Sequence, residues 1–185
     1  AVLSGVAVSA QKPDVEVTLG RQSIKQYGRL EMKVDGVGQF TQYGNPAKVK
    51  VTAVIETPSG KTLEVPGFAM RPTQRVTDGG SPKFVPEGPQ QWRVRFMPKE
   101  TGTYHGRVRI RTENGARESD DYRFRVRPSG APGVIHVAED NQWAFEYENG
   151  APYIPIGQNL SWANGDRLAK YRKWLNKMAA NNCNY

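Results

Sequence analysis

The stretch Trp92-Arg93-Val94-Arg95-Phe96-Met97-Pro98-Lys99-Glu100-Thr101-Gly102-Thr103-Tyr104 decides how the chain folds. Trp92, Val94 and Phe96 alternate with Arg93 and Arg95, the period of a strand with one dry face and one wet face. Pro98 ends that strand, Gly102 can take a positive φ, and Tyr104 opens another strand two residues later. The same alternation recurs on both sides. Leu30, Met32 and Val34 alternate with Glu31, Lys33 and Asp35; Val49, Val51, Ala53 and Ile55 alternate with Lys48, Lys50 and Thr52, with Val54 the exception. Pro58-Ser59-Gly60 reads as a turn into Lys61 to Val65, which predicts a hairpin. Further strands are predicted at Tyr104 to Thr112 and Asp121 to Arg127. Short strands punctuated by Gly, Pro and Asn predict a mainly β chain built as an antiparallel sandwich.

The turn from Pro98 to Tyr104 resembles that of immunoglobulin-like sandwiches, in which a tyrosine hydroxyl ties back to an upstream backbone group. Residues 1 to 133 are therefore read as an immunoglobulin-like β-sandwich. Within them Pro66 to Gln90 carries five prolines and four glycines, so a long surface excursion with one short strand is expected, pinned by Phe68, Met70 and Phe84. At 37% hydrophobic and 24% charged residues the chain is not globally disordered, and its longest uncharged apolar run, Ala1 to Ala10, is too short to span a membrane. Val8-Ser9-Ala10 fits the end of a signal-peptidase site, with a plain N-terminal strand as the alternative. The single cysteine, Cys183, excludes an intramolecular disulfide, and His105 and His136 stand apart, so neither a structural metal nor a cofactor is expected.

Past Arg127 the pattern changes. Pro128-Ser129-Gly130-Ala131-Pro132-Gly133 is a linker by composition. It leads to a strand at Val134 to Ala138, a hairpin arm at Trp143 to Tyr147, the turn Glu148-Asn149-Gly150 and an apolar strand at Tyr153 to Ile156. A helix follows, capped by Asn164 or Asp166, with Leu168, Tyr171, Leu175 and Met178 on one face and Arg167, Lys170, Arg172, Lys173 and Lys177 on the other. It fades at Asn181-Asn182, and Cys183-Asn184-Tyr185 reads as a new strand. A lone βα unit cannot bury both faces of its strand, so this order predicts the first step of a larger parallel α/β domain, cut within it.

The run from Phe145 through Gly150-Ala151-Pro152-Tyr153-Ile154-Pro155-Ile156-Gly157-Gln158-Asn159-Leu160-Ser161-Trp162, after Val134-Ile135-His136-Val137, resembles the opening of the catalytic (β/α)8 barrel of bacterial glycoside hydrolases of the endoglucanase-like and apiosidase-like kind. Trp92 to Phe96, Pro98 to Tyr104 and Pro66-Gly67-Phe68 match elements of the sandwich that precedes the barrel in those proteins. The resemblance implies that residues 134 to 185 are the N-terminal fragment of such a TIM barrel. It also implies a secreted or periplasmic parent enzyme that cleaves polysaccharide. The family's acid/base and nucleophile follow the fourth and seventh barrel strands, so this chain is expected to carry no catalytic residue. The resemblance places Gln158, Asn159 and Trp162 at the C-terminal end of the first barrel strand, where such active sites are built, as substrate-binding residues; alternatively they only shape the loop.

Formal net charge is +8, and Arg93, Arg95, Arg107, Arg109, Arg111, Arg123, Arg125 and Arg127 alternate with inward aromatic and β-branched residues. Phosphates or an acidic glycan could use such a face, but no aromatic residue shares its parity to stack on a base. Pairing with neighbouring Glu and Asp is the expectation, and no nucleic-acid or membrane partner is expected. Two other functions fit: a free-standing module for acidic glycans, and an adhesion or scaffold domain. The apolar residues of the 151–185 tail are expected to fold back on the sandwich or to form a homodimer.

Overall fold

Alternation becomes register in the computed structural model, which describes residues 14–38, 42 and 44–184. In chain order the elements are β1 (Glu16–Leu19), β2 (Ser23–Lys25), β3 (Leu30–Asp35), β4 (Val49–Glu56), β5 (Thr62–Met70), β6 (Thr73–Asp78), β7 (Ser81–Pro86), β8 (Gln91–Phe96), β9 (Gly102–Thr112), β10 (Gly115–Glu118), β11 (Tyr122–Arg127), β12 (Ile135–Val137), β13 (Phe145–Tyr147), β14 (Pro152–Tyr153) and α1 (Arg167–Ala180). The possible signal-peptidase site lies outside the described residues, as does Tyr185. Among the described residues no helix is long and apolar enough to cross a membrane.

Chain contacts divide the described residues into two compact units, those up to 69 with 92–127 and those of 70–91 with 128–184. The first unit is a curled nine-stranded sheet ordered β1-β3-β8-β5-β4-β9-β11-β2, with β10 added to β9. Its β2 joins β11 in parallel, whereas β3–β8, β4–β5, β4–β9 and β9–β11 are antiparallel. Every alternating apolar set named above faces one core: Leu30, Met32, Val34; Val49, Val51, Ala53, Ile55; Trp92, Val94; Tyr104, Val108, Ile110; Phe124, Val126. Tyr104 stacks on Phe124 at 5.0 Å, and Phe96 meets both edge-on.

The turn into β9 has the expected geometry. Gly102 sits at φ 129°, a conformation that any Cβ would strain, and the Tyr104 hydroxyl reaches back to Glu100. That hydroxyl accepts from the Glu100 N–H at 3.0 Å and donates to the Glu100 carbonyl at 3.1 Å. Both groups of one backbone residue are thus satisfied by a side chain buried in the core.

The excursion after Pro66 departs from expectation. Rather than one short strand, it continues β5 to Met70 and then forms the β6–β7 hairpin. Gly79 and Gly80, at φ 54° and 79°, occupy both central turn positions between the paired Asp78 and Ser81, the conformation that two-residue hairpins favour. Pro82 and Pro86 are tolerated because β7 belongs to an isolated two-stranded sheet, where one side of the strand needs no N–H donor. The hairpin belongs to the second unit, where Phe84 and Lys83 border a hollow with Gly165 to Leu168.

Elsewhere in the second unit, β12, β13 and β14 form an antiparallel three-stranded sheet, shorter than the three strands expected there. Gly150, at φ 80°, closes the predicted turn through its N–H to the Tyr147 carbonyl. Helix α1 is capped as expected: the Asp166 carboxylate accepts from the Ala169 N–H at 3.2 Å. The apolar stripe is not covered, however. No residue of α1 is buried, Leu168 and Leu175 stay more than half exposed, and Tyr171, Trp174 and Met178 are half-buried.

Candidate functional site

Ile154-Pro155-Ile156 leaves the sheet after Tyr153 because Pro155 lacks a donor, and its polar groups are met from the far end of the helix. The Asn184 N–H donates to the Ile156 carbonyl at 2.8 Å, and the Asn184 Oδ1 accepts from the Ile156 N–H at 2.7 Å. Its Nδ2 donates to the Ile154 carbonyl at 3.0 Å, while its own carbonyl accepts from the Tyr153 hydroxyl at 2.8 Å. One asparagine therefore holds residues 153 to 156 on four bonds, and the chain after α1 returns beside the segment that precedes it.

The loop between them borders a groove of about 390 Å³ lined by Gln158, Asn159, Leu160, Ser161, Trp174, Lys177 and Met178. Gln158 and Asn159, singled out from the sequence, are brought together here. Trp162 is not in the lining. Its indole is 89% exposed, and its backbone sits at φ 58°, a left-handed conformation costly for a bulky residue. Beside it Ala163 is buried and holds the loop down. Nothing in the sequence marked Trp174 and Lys177 as groove residues, Lys177 being expected on the polar face of the helix.

Chemically the groove offers two carboxamides, a hydroxyl, an ammonium and an indole, with Leu160 and Met178 as apolar surface. Among the described residues neither the Gln158 nor the Asn159 amide has a side-chain hydrogen-bond partner, so both are free to bind a polar ligand. No carboxylate lines it. Among the described residues no group of three His, Cys, Asp or Glu side chains is placed to hold a metal ion. His136 instead contacts Glu146 at 3.7 Å and the Val137 carbonyl at 2.9 Å.

The arginine ladder divides in two. Arg93 and Arg95 on β8 both pair with Glu31 on β3, and Arg95 also lies over the Phe68 ring at 4.8 Å. Burial by itself would raise the Glu31 carboxyl; the hydrogen bonds and charges of Arg95 and Arg93 outweigh it and hold it below its ordinary value. Arg107 and Arg109 share Glu118 at 3.2 and 2.7 Å, and the Arg109 hydrogen bond holds that carboxyl low as well. Arg111, Arg123, Arg125 and Arg127 are exposed and have no ion pair among the described residues. Pairing, expected for all eight, holds for four.

Residues 23–111, from the start of β2 nearly to the end of β9, match a family described as a domain of unknown function, DUF5060. No curated protein is significantly similar to the sequence. Among solved structures the chain is similar to a putative glycoside hydrolase from Bacteroides vulgatus ATCC 8482, with 21% identity and a TM-score of 0.48. The match covers 74% of this chain and 22% of that one, so the chain spans about a fifth of that protein.

Proposed function

We propose that the chain is the non-catalytic front of a polysaccharide-degrading glycoside hydrolase: an immunoglobulin-like sandwich over residues 1 to 133, then the start of a (β/α)8 barrel over residues 134 to 185. The observation that carries this reading is the return of Asn184 beside Ile154 and Ile156 after a capped helix, the β–loop–helix–return order from which parallel barrels are built. Uncovered apolar surface on both sides of that unit supports it. Ile154 is 70% exposed and Leu168 and Leu175 about as open as Ile156, whereas a barrel would enclose the strand and seat the helix on a sheet. The Tyr104 tie to Glu100 supports the sandwich.

In this reading Gln158 and Asn159 offer amides to sugar hydroxyls, and Trp162, held exposed at a strained backbone position, offers a ring face on which a pyranose stacks. The β6–β7 hairpin belongs to the same compact unit as this loop, which suits an excursion that reaches the substrate from the accessory domain. The parent would act outside the cytoplasm, where polymeric substrate is met.

Titrating the labelled chain with cell-wall oligosaccharides while following the Trp162 indole and the Asn159 amide by NMR tests the reading. Both resonances should move, with weak affinity, and no reducing sugar should be released. Turnover above background would overturn the non-catalytic role; resonances that stay fixed for every glycan tried would overturn the assignment of this loop.

A further inference from the structure

Three of the four arginines without an ion pair among the described residues stand on one strand. Arg123, Arg125 and Arg127 follow one another on the wet parity of β11, at steps of about 6.5 to 7 Å along the strand. Lys25 on β2 lies directly opposite Arg127, in the adjoining parallel strand about 4.8 Å away. Arg125 is flanked by Thr103 on one side and Ser23 on the other, and Arg123 by His105. All four cations are exposed. The carboxylates nearest in register, Glu56 opposite His105 and Asp121 at the start of β11, stand at the Arg123 end of the row. Toward Arg127 no acidic residue among the described residues occupies a neighbouring register position.

Like charges opposite one another destabilise a sheet, and elsewhere in this same sheet a single glutamate pairs with two arginines at a time. A row left without that relief is where an external anion would gain most. We propose that the face formed by Arg123, Arg125, Arg127 and Lys25 binds a linear polysaccharide that carries repeated carboxylate or sulfate groups. The three arginines recur at every second position of one strand, which suits a polymer with regularly placed anions. The hydroxyls of Thr103 and Ser23 beside Arg125 can hydrogen-bond sugar hydroxyls between the charges. Nucleic acid fits less well, because Phe124 and Val126 face the core and no aromatic side chain shares the row for a base to stack on. The inference does not use the loop of Gln158, Asn159 and Trp162 on which the test of the glycosidase reading rests, which belongs to the other compact unit, so its failure would leave that reading unchanged.

Its test is binding of the full chain to polygalacturonate, dextran sulfate, neutral dextran and duplex DNA at low and physiological salt. Polygalacturonate or dextran sulfate should bind with an affinity that falls as salt rises, and neutral dextran should not bind. Replacing Arg123, Arg125 and Arg127 by Gln together should weaken binding about tenfold or more. The charge-matched change of Lys170, Arg172 and Lys173 to Gln on α1 should leave it within about twofold. Arg125→Gln alone should give part of the loss and covers failure of the triple variant to fold. Three results would each overturn the proposal: no binding of either anionic polymer at low salt, equal loss in the charge-matched variant, or tighter binding of DNA than of both polymers at physiological salt.

Discussion

The curled sheet and helix α1 follow equally regular hydrophobic patterns with opposite results. In the sheet, alternation at period two turns every predicted apolar side chain of β3, β4, β8, β9 and β11 into one core, with Val94 and Val108 fully enclosed. In α1 the spacing of Leu168, Tyr171, Leu175 and Met178 is just as clear, yet none of them is buried. Periodicity states which face of an element is apolar; it does not state that anything covers it. A sheet that curls supplies its own cover, whereas a single helix beside a short strand has none to supply.

The sharpest way to break that comparison is to truncate one side chain on each side of it. Phe124→Ala should cost about 3 to 5 kcal/mol, because it opens a cavity beneath Tyr104 and Phe96. Leu175→Ala should stay within about 0.5 kcal/mol, measured by denaturant midpoints. A large cost at Leu175 would mean that the helix is covered in solution, by a second copy of the chain if light scattering also gives twice the mass.

Two further changes probe local devices that differ in how much tertiary structure they need. Tyr104→Phe removes both bonds to Glu100 and strands a backbone N–H and C=O, for an expected loss of about 1 to 2 kcal/mol of global stability. Asp166→Ala removes the cap of α1 and should cost about 1 kcal/mol, seen as faster amide exchange in α1 with the sheet amides unchanged. Equal acceleration in both units would show that the helix and the sheet unfold together.

Acid separates the paired arginines from the free ones. The Glu31 carboxyl is held below its ordinary value, so its contribution to stability is fully present above that ordinary value and is lost as pH falls through the lower folded one. Glu31→Gln should therefore be less stable than the parent at neutral pH, with the gap closing toward pH 2 to 3. A gap that stays constant with pH would show that the pair with Arg93 and Arg95 is not what the glutamate contributes. The smallest effect is expected at Tyr122, whose buried hydroxyl has no hydrogen-bond partner among the described residues. Tyr122→Phe should be neutral or slightly stabilising, by less than about 0.5 kcal/mol, in contrast to the same change at Tyr104.

Much of the candidate site was legible in one dimension and its shape was not. Gln158 and Asn159 were singled out through the resemblance of the Gly150 to Trp162 run to the opening of a glycosidase barrel, which rests on consecutive residues. Trp174 and Lys177 carry no such signal, since they join the groove only because α1 folds back across the loop. Asn184 was hidden for the same reason: its four bonds reach some thirty residues back along the chain.

The amino-acid sequence by itself determined the inward parity of each main strand, the hydroxyl tie at Tyr104, the Gly60 and Gly150 turns and a helix cap at Asn164 or Asp166. All of these depend on residues within a few positions of one another, where sterics and solvent preference act without help. Only the tertiary structure decided that β2 joins β11 in parallel, that the Pro-rich excursion is a hairpin, and that four arginines find a glutamate while four do not. Those outcomes turn on which distant segment arrives alongside, and local sequence does not encode the neighbour that a strand edge or a side-chain charge will meet.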